Sequence, residues 1–219
     1  MSLFSQSQKY RYPRIIIFDF DGVLADSLYS FYSLIKAGMK EIGLSLTLKQ
    51  YRNFFIGNVH QGFKSFINNK QKYISFMDFR KNNYDRYYYR KNREVKLFPG
   101  TSSLVEKLSK KYILAIASSG RKNNIENLLD KNKIKNLFGL VLADSAFTKE
   151  GMIKEILNKF SAAPQEAIMI SDTVGDVLIA KEIGLKTIAI TWGFHSRKLL
   201  SSAQPDNIVK NMDKLKKLI

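Results

Sequence analysis

Residues 15–27 read IIIFDFDGVLADS and carry the strongest signal in the chain. The four leading apolar residues are typical of a strand buried on both faces of a sheet. Asp19 and Asp21 follow directly, and side chains two positions apart on a strand point the same way. Placing two negative carboxylates side by side at the end of a buried strand costs electrostatic free energy unless a cation lies beside them. Their hard oxygen atoms are ligands that suit Mg²⁺. Because ligands of α/β sheets bind at strand ends, this segment predicts a site for metal-assisted chemistry, although Asp and Gly also suit a simple turn.

The composition is that of a globular protein with a sizeable apolar core. The chain has 219 residues, of which 45% are hydrophobic, and this fits one large domain or a core domain with a smaller insertion. No apolar run approaches the roughly 18 residues of a membrane span, and residues 1–14 lack the apolar stretch of a secretory signal. The absence of cysteine excludes disulfides, thiolate metal sites and a cysteine nucleophile. We therefore expect a protein of the reducing cytoplasm without membrane association.

Apolar strands and amphipathic helices alternate from residue 98 onward. Such alternation predicts an α/β fold, with a parallel sheet covered by helices on both faces. Thr101 is the expected N-cap of the first of these helices. Strands are predicted at 112–118, 140–144, 167–171 and, last in the sheet, 187–191; helices are predicted at about 102–110, 122–131, 150–160 and 174–183.

Residues 27–95 differ from the rest, because they show several helical periods and no convincing strand. We interpret them as an α-helical module inserted after the first strand, so that residues 1–26 and 96–219 form the core domain. The whole chain has a net charge of +17, and the insertion holds 13 Lys or Arg against 4 Asp or Glu, with 15 of the 27 aromatic residues. This mixture can indicate nucleic-acid binding. We prefer a solvated basic face over an aromatic helical core, because charge alone indicates non-specific attraction, and such a surface would also attract small phosphorylated substrates.

Further polar residues follow the other predicted strands, where the same pocket should lie. Ser118 and Ser119 end the second core strand and, with the following Gly120, could hold a phosphate. Lys149 precedes a helix and offers a charge to an anionic oxygen. Asp172 and Asp176 follow a later strand in SDTVGD. Taken singly, each has an ordinary interpretation: the Ser118–Gly120 run suits a loop, Lys149 suits an exposed surface lysine, and Asp172 suits a helix cap.

As a set, these motifs resemble the haloacid dehalogenase-like hydrolase superfamily, specifically its phosphoglycolate phosphatase-like branch. The matching pieces are DFDGVLADS, Ser118, Lys149, SDTVGD and GLKTIAITWGFHS (184–196). The resemblance implies a Rossmann-like core with a helical cap, an aspartate nucleophile, bound Mg²⁺ and a small phosphorylated substrate. Two departures concern loop shape: Glu150 follows the lysine where the family usually has proline, and Ser171 stands where it usually has glycine.

The resemblance also implies a role for each site residue. Asp19 would attack phosphorus and form an aspartyl-phosphate, and Asp21 would protonate the leaving oxygen and then activate water. The carboxylates of Asp19 and Asp172, with the backbone carbonyl of Asp21, would hold Mg²⁺. The side chains of Ser118 and Lys149 would bind the remaining phosphoryl oxygens. Asp176 would orient metal-bound water or the side chain of Lys149.

The insertion contains a candidate for substrate recognition. The predicted turn at 56–62, IGNVHQG, resembles the substrate-specificity loop of such caps, and His60 is its most polar candidate, although an exposed histidine without a role also fits. Phe194 and His195 are expected to stabilise the chain after the last strand.

Three readings of function remain. An acid at Asp21 favours phosphoryl transfer over dehalogenation, because halide leaves unprotonated whereas an alkoxide does not. A phosphatase for a small phosphorylated metabolite is the leading interpretation. A β-phosphoglucomutase-like phosphomutase and a nucleic-acid- or anionic-surface-binding protein are the alternatives, and the sequence indicates no particular oligomeric state.

Overall fold

Strand β1 (Ile15–Phe18) lies inside a six-stranded sheet, and its four side chains are completely buried. The computed structural model of the chain describes residues 14–90, 94–144 and 148–219. Residues 1–13, which the sequence assigns to the core, and Lys91 and Arg93 of the basic insertion lie outside the described residues. β1 pairs in parallel with β4 (Ile113–Ser118) and with β6 (Ala167–Ser171). The prediction of a strand buried on both faces is therefore confirmed.

The other strands described in this sheet are β5 (Phe138–Ala143), β7 (Lys186–Ile190) and β8 (Asn207–Val209). The sheet has the order β5-β4-β1-β6-β7-β8, and all these strands run parallel. The predicted α/β fold with a parallel sheet is thus confirmed. The expectation that residues 187–191 form the last strand is wrong, because β8 follows. β8 has only three residues, too few for a periodic signal in the sequence.

Helices cover both faces of the sheet, as the alternating side chains of β1 require. Ile16 and Phe18 pack into a cluster with apolar residues of α5 (Thr101–Ser109) and α6 (Lys122–Lys131). The other face belongs to a second cluster, in which Ile15 and Ile17 join residues of α7 (Lys149–Lys159) and α8 (Val174–Ile183). The two short C-terminal helices are α9 (Arg197–Ser201) and α10 (Met212–Leu218).

Thr101 is not the N-cap of α5, as the sequence suggested. Gly100, with φ +86°, occupies that position, and Thr101 is the first helical residue. The Thr101 hydroxyl donates instead to the backbone carbonyl of Leu24, 3.3 Å away. It therefore ties the helix to the loop that follows β1.

The described part of the predicted insertion contains four helices, between two short paired strands. β2 (Ala25–Asp26) pairs antiparallel with β3 (Lys96–Leu97), so the chain leaves and re-enters the core at one place. We infer that the helices between them form a cap whose ends are joined there. The helices are α1 (Leu28–Glu41), α2 (Leu48–Asn53), α3 (Val59–Ile67) and α4 (Lys70–Tyr88), with a 3-10 turn at Phe54–Ile56.

Much of the aromatic content of this insertion serves its interior. Phe63, Phe76, Tyr84 and Tyr88 are buried, and Tyr84 and Tyr88 also join the core cluster on the Phe18 side of the sheet. This packing supports the interpretation of an aromatic helical core beneath a basic face. Among the residues that the structure describes, no helix is both long and apolar enough to cross a bilayer.

Candidate active site

The predicted site residues meet at the carboxyl end of the three central strands. Asp19 follows β1, Ser118 ends β4 and Asp172 follows β6, and these strands are neighbours in the order β4-β1-β6. Lys149 is the first residue of α7, because the Thr148 hydroxyl accepts from the Gly151 backbone N–H and caps the helix. The parallel register thus gathers residues separated by about 150 positions into one pocket.

Lys149 joins two of the carboxylates. Its Nζ lies 2.9 Å from Asp19 Oδ1 and 3.1 Å from Asp176 Oδ2, and it donates to the Ala117 carbonyl at 2.7 Å. The lysine side chain is only 9% exposed. Burial alone would lower the pKa of Lys149, but Asp176 and Asp19 outweigh that effect and raise it. The group is therefore a fixed positive charge beside Asp19.

Asp19 is held in one orientation by its neighbours. Its Oδ1 accepts the backbone N–H of Phe20 at 2.8 Å as well as the Lys149 ammonium. Burial raises the pKa of Asp19 to about 6, against the lowering effect of the lysine charge. The carboxylate is thus ionised at pH 7 and above, as a nucleophile must be.

Asp21 lies on a tight turn that reverses the chain after β1. The backbone N–H groups of Leu24 and Ala25 both donate to the Phe20 carbonyl at 3.0 Å, and Gly22 adopts φ +82°. Asp21 Oδ1 is buried and has no hydrogen-bond partner among the described residues. Burial, and then the charge of Asp19, raises the pKa of Asp21 to about 7. A carboxyl in this environment can exchange a proton near neutral pH.

The loop after β4 approaches Asp21 closely. Ser118 is buried and its hydroxyl accepts the Gly120 backbone N–H at 3.1 Å, whereas Ser119 is exposed. A Cβ atom placed on Gly120 would lie 2.9 Å from Asp21 Oδ2 and 3.3 Å from the Ser118 hydroxyl. Glycine at position 120 therefore allows the loop after β4 to pack closely against Asp21 and Ser118.

Asp172 is completely buried, and only one of its carboxylate oxygens has a partner. Oδ2 accepts the Phe194 backbone N–H at 2.6 Å, and Oδ1 has no partner in the described part of the chain. Burial, and then the charge of Asp19, raises its pKa well above the usual value. Thr173, not Asp172, caps α8 through its hydroxyl, so the helix-cap interpretation of Asp172 does not hold. A methyl group on Gly22 would overlap Asp172, which shows how closely the two segments pack.

These residues fit a Mg²⁺ ion. Asp172 Oδ1 is a buried oxygen atom without a partner in the described residues, a costly state that a cation would relieve. Within the described ranges, no three His, Asp or Glu side chains converge into a metal-binding cluster. The predicted ligand set needs only two carboxylates, those of Asp19 and Asp172, since its third member is the backbone carbonyl of Asp21. Carboxylate and carbonyl oxygens are ligands that Mg²⁺ accepts, usually together with water.

Asp176 and His60 occupy different surroundings. Asp176 Oδ2 accepts from the Ser171 hydroxyl at 2.9 Å and contacts Lys149, so it lies beside the lysine. The predicted turn at 56–62 is partly helical, because Asn58 caps α3 and His60 lies in its first turn. Burial, and then the charge of Arg80, lowers the pKa of His60.

His195 has contacts that the sequence did not predict. Its Nδ1 accepts the Val174 backbone N–H at 3.0 Å, so Nε2 carries the proton and donates to the Arg52 carbonyl at 2.9 Å. The neighbouring Phe194 ring packs against Phe55, with centroids 4.9 Å apart. These residues were expected to stabilise the chain after a strand, but they also join the site loop to the inserted helices. The sequence indicated Phe194 and His195 only by their position after the predicted strand, and it gave no sign of their contacts with the inserted helices.

Sequence comparison finds related proteins that match most of the chain. The family model for haloacid dehalogenase-like hydrolases matches residues 16–190. The phosphoglycolate phosphatase of Synechococcus elongatus is 28% identical over 201 residues, covering 87% of this chain and 90% of the relative. The phosphoglycolate phosphatase of Aquifex aeolicus is 27% identical over 216 residues, covering 91% and 97%.

Solved structures agree with this similarity. A haloacid dehalogenase-like family hydrolase from Streptococcus pneumoniae is 29% identical, with a TM-score of 0.79, and the match covers 94% of this chain and 99% of that one. A crystal structure described as a predicted phosphatase from Clostridium acetobutylicum has a TM-score of 0.80 at 24% identity, and the match covers 94% of this chain and 98% of that one. The second match shows a shared fold.

Proposed function

The chain belongs to the haloacid dehalogenase-like hydrolase family, and from this we propose that it is a Mg²⁺-dependent phosphatase. It would hydrolyse a small phosphorylated metabolite through an aspartyl-phosphate on Asp19. The observation that carries the proposal is the buried group in which Lys149 contacts Asp19, while Asp21 and Asp172 each keep a buried oxygen without a partner. Such a group suits an anionic nucleophile, an acid–base residue and a cation, the three parts that this chemistry needs.

In the first step, a carboxylate oxygen of Asp19 attacks phosphorus and the bond from phosphorus to the ester oxygen breaks. Asp21, two residues further along the turn, gives its proton to the leaving oxygen, so the alcohol departs neutral. Lys149 keeps Asp19 ionised and oriented, because its Nζ lies 2.9 Å from Oδ1. The phosphoryl group is now bonded to Asp19.

In the second step, water attacks phosphorus and the bond to Asp19 breaks. Asp21, now ionised, takes the proton from this water, so both carboxyls return to their initial state and phosphate leaves. When bound by Asp19, Asp172 and the Asp21 carbonyl, Mg²⁺ would supply positive charge that reduces repulsion between nucleophile and phosphate.

The remaining phosphoryl oxygens would be held by Lys149 and by the loop after β4. Ser118 is buried at the end of β4, and the next residue, Ser119, is exposed. Hydroxyl and backbone donors around a cation are a common way to bind phosphate. His60 would contact the part of the substrate beyond the phosphate, since α3 belongs to the inserted helices that face the site.

The relatives named phosphoglycolate phosphatase support a substrate of that size, and a sugar phosphate is the other candidate class.

A phosphate-release screen over small phosphorylated metabolites, with and without Mg²⁺, tests the proposal. Wild type should release phosphate from at least one of them only with Mg²⁺, and Asp19→Asn should not. Asp213→Asn, an exposed change on α10, is the matched control and should remain active. Activity that requires a sugar bisphosphate would instead indicate a phosphomutase.

A further inference from the structure

Arg121 lies between the loop after β4 and the start of α6, and one face of α4 surrounds its guanidinium group. Nη1 donates to Asp85 Oδ2 at 2.8 Å, and Nη2 donates to the Lys81 carbonyl. The guanidinium also lies over the Tyr84 ring, with Cζ 4.5 Å from the ring centroid. Lys81, Tyr84 and Asp85 share one face of the helix, because they are spaced three and four residues apart. Three groups of an inserted helix therefore contact one side chain of the core domain.

Asn124, in the first turn of α6, makes a second set of contacts with the same part of α4. Its Nδ2 donates to Asp85 Oδ1 at 2.9 Å, so each oxygen of the Asp85 carboxylate has a partner in the core domain. The Tyr89 hydroxyl donates to Asn124 Oδ1 at 3.2 Å, and the Tyr88 hydroxyl donates to the Asn124 carbonyl at 3.4 Å. Asp85 thus connects α4 to two residues at the start of α6.

The loop that precedes Arg121 belongs to the candidate site. Ser118 ends β4, and its hydroxyl accepts the Gly120 backbone N–H at 3.1 Å. A Cβ atom on Gly120 would lie 2.9 Å from Asp21 Oδ2 and 3.3 Å from Ile125 Cδ1. Gly120 therefore packs between the turn after β1 and the first turn of α6. Because Arg121 is covalently joined to Gly120, a shift of Arg121 would move atoms that lie beside Asp21.

The ion pair between Arg121 and Asp85 contributes little to the stability of the fold. Its side chains are 34% and 56% exposed, and exposed pairs are weak because water screens the charges. Other contacts already join the insertion to the core domain, namely the pairing of β2 with β3 and the hydrogen bond from His195 to the Arg52 carbonyl. The larger consequence of the pair is therefore the position that it imposes on the loop after β4.

We propose that Asp85 is a positioning residue, which fixes the loop Ser118–Gly120 through Arg121 so that the loop can bind phosphoryl oxygens. This inference rests on the proposed phosphatase function. Misplacing a binding group by about 1 Å can cost about 100-fold in rate, so a weak ion pair can have a large kinetic effect. Because the phosphoryl group is common to all phosphomonoesters, the effect of Asp85 should not depend on the alcohol of the ester.

Asp85→Ala tests this assignment, with Asp78→Ala as the matched control at an exposed position two turns earlier on α4. In Asp85→Ala, NMR should show the Gly120 amide exchanging hydrogen about 5-fold faster or more, because the loop is held less firmly. The value of kcat/KM should fall about 10-fold, and by the same factor for two esters with different alcohols. Asp85→Glu keeps the carboxylate and should recover part of the loss. Asp78→Ala should leave exchange and kinetics unchanged, and chemical denaturation should give nearly equal stability for the two alanine variants.

Arg121→Ala shows whether Asp85 acts through the arginine. If it does, adding Asp85→Ala to Arg121→Ala should lower kcat/KM little further, whereas additive losses would overturn the proposal. A loss in Asp85→Ala that differs between the two esters would also overturn it, and so would exchange and kinetics at the level of Asp78→Ala. If wild type hydrolyses no ester, the phosphatase function fails, and calorimetric titration of inorganic phosphate with Mg²⁺ replaces the kinetics. Weaker phosphate binding by Asp85→Ala than by Asp78→Ala would still support the role of Asp85, and equal binding would refute it.

Discussion

At the scale of single residues, Lys149 determines whether the buried carboxylates can lie together. It contacts both Asp19 and Asp176, and none of the three side chains is more than 13% exposed. Replacing Lys149 by Gln leaves two buried negative charges without their cation, and removing one partner of a buried pair costs about 3 to 5 kcal/mol. We expect this loss in chemical denaturation at neutral pH without Mg²⁺, together with loss of phosphate release.

Lys154→Gln provides the control for this change. Lys154 lies on the same helix, is exposed and pairs with Glu150 one turn away. Exposed pairs of this kind contribute about 0.3 to 0.5 kcal/mol, so stability should hardly change. A Lys149 variant as stable as this control would contradict the ion-pair account.

Asp206 gives a pH-dependent prediction at the same scale. Its Oδ2 accepts both the backbone N–H and the hydroxyl of Thr187 at 2.7 Å, which links β7 to the segment before β8. Burial alone would raise the pKa of Asp206, but the Thr187 hydrogen bonds outweigh it and lower the pKa. Because the folded pKa is below the unfolded value, the stabilisation is present above the unfolded pKa and disappears as pH falls through the folded pKa.

Asp206→Asn should therefore cost about 1 kcal/mol of unfolding free energy at pH 7, after screening by solvent. The difference from wild type should shrink below about pH 4, near the ordinary pKa of aspartate. Denaturation curves at several pH values measure this, with the exposed Asp78→Asn as control. A difference that is constant with pH would show that the charge of Asp206 does not contribute.

The sequence predicted the residues of the site that follow strands. Asp19, Asp21 and Asp172 stand directly after apolar runs, so their type and position are visible locally. The contacts of His195 could not be found this way. They depend on Val174 and Arg52, which the fold brings to the histidine from distant parts of the chain.

At the scale of elements, the link between α2 and the start of α8 holds the insertion against the site. His195 bridges the Val174 N–H and the Arg52 carbonyl, and Gly175 approaches the carbonyls of Phe55 and Gly57 so closely that a Cβ would lie 3.0 and 3.2 Å from them. Backbone contact of this kind leaves little freedom for the two helices to separate locally.

His195→Ala should lower stability by about 2 kcal/mol, because it leaves two largely buried backbone groups without partners. Thermal or chemical unfolding measures the loss, and Lys198→Ala, an exposed change on α9, is the control. Proteolysis at the α2–α3 connection should also become faster in the His195 variant. If both stability and proteolysis stay at the wild-type level, the bridge has no energetic role.

Element boundaries show where sequence patterns are informative and where they fail. The buried strands and amphipathic helices of the core were predictable because burial imposes a period on several consecutive residues. β8 was missed because it has three residues, and the N-cap of α5 lies one residue earlier than predicted, at Gly100. Several residue types satisfy a cap, so the choice depends on the surrounding fold.

At the scale of the whole molecule, the charge of +17 should act on encounter with the substrate. A basic surface attracts anionic esters over distances that salt screens. We expect kcat/KM to fall as NaCl increases at constant Mg²⁺, while kcat stays nearly constant. A neutral viscogen series controls for diffusion. A kcat/KM that does not depend on salt would show that the net charge does not steer the substrate.

Phosphorylation of Asp19, the proposed nucleophile, tests the account most directly. Enzyme mixed with its best substrate and Mg²⁺ is quenched in acid, reduced with borohydride and digested, and the peptide containing residues 15–27 is analysed by mass spectrometry. An acyl phosphate on Asp19 is reduced to homoserine, so the account predicts this change at Asp19 alone, and only when substrate is present. Modification of another residue, or an unmodified peptide under rapid turnover, would contradict Asp19 as the nucleophile.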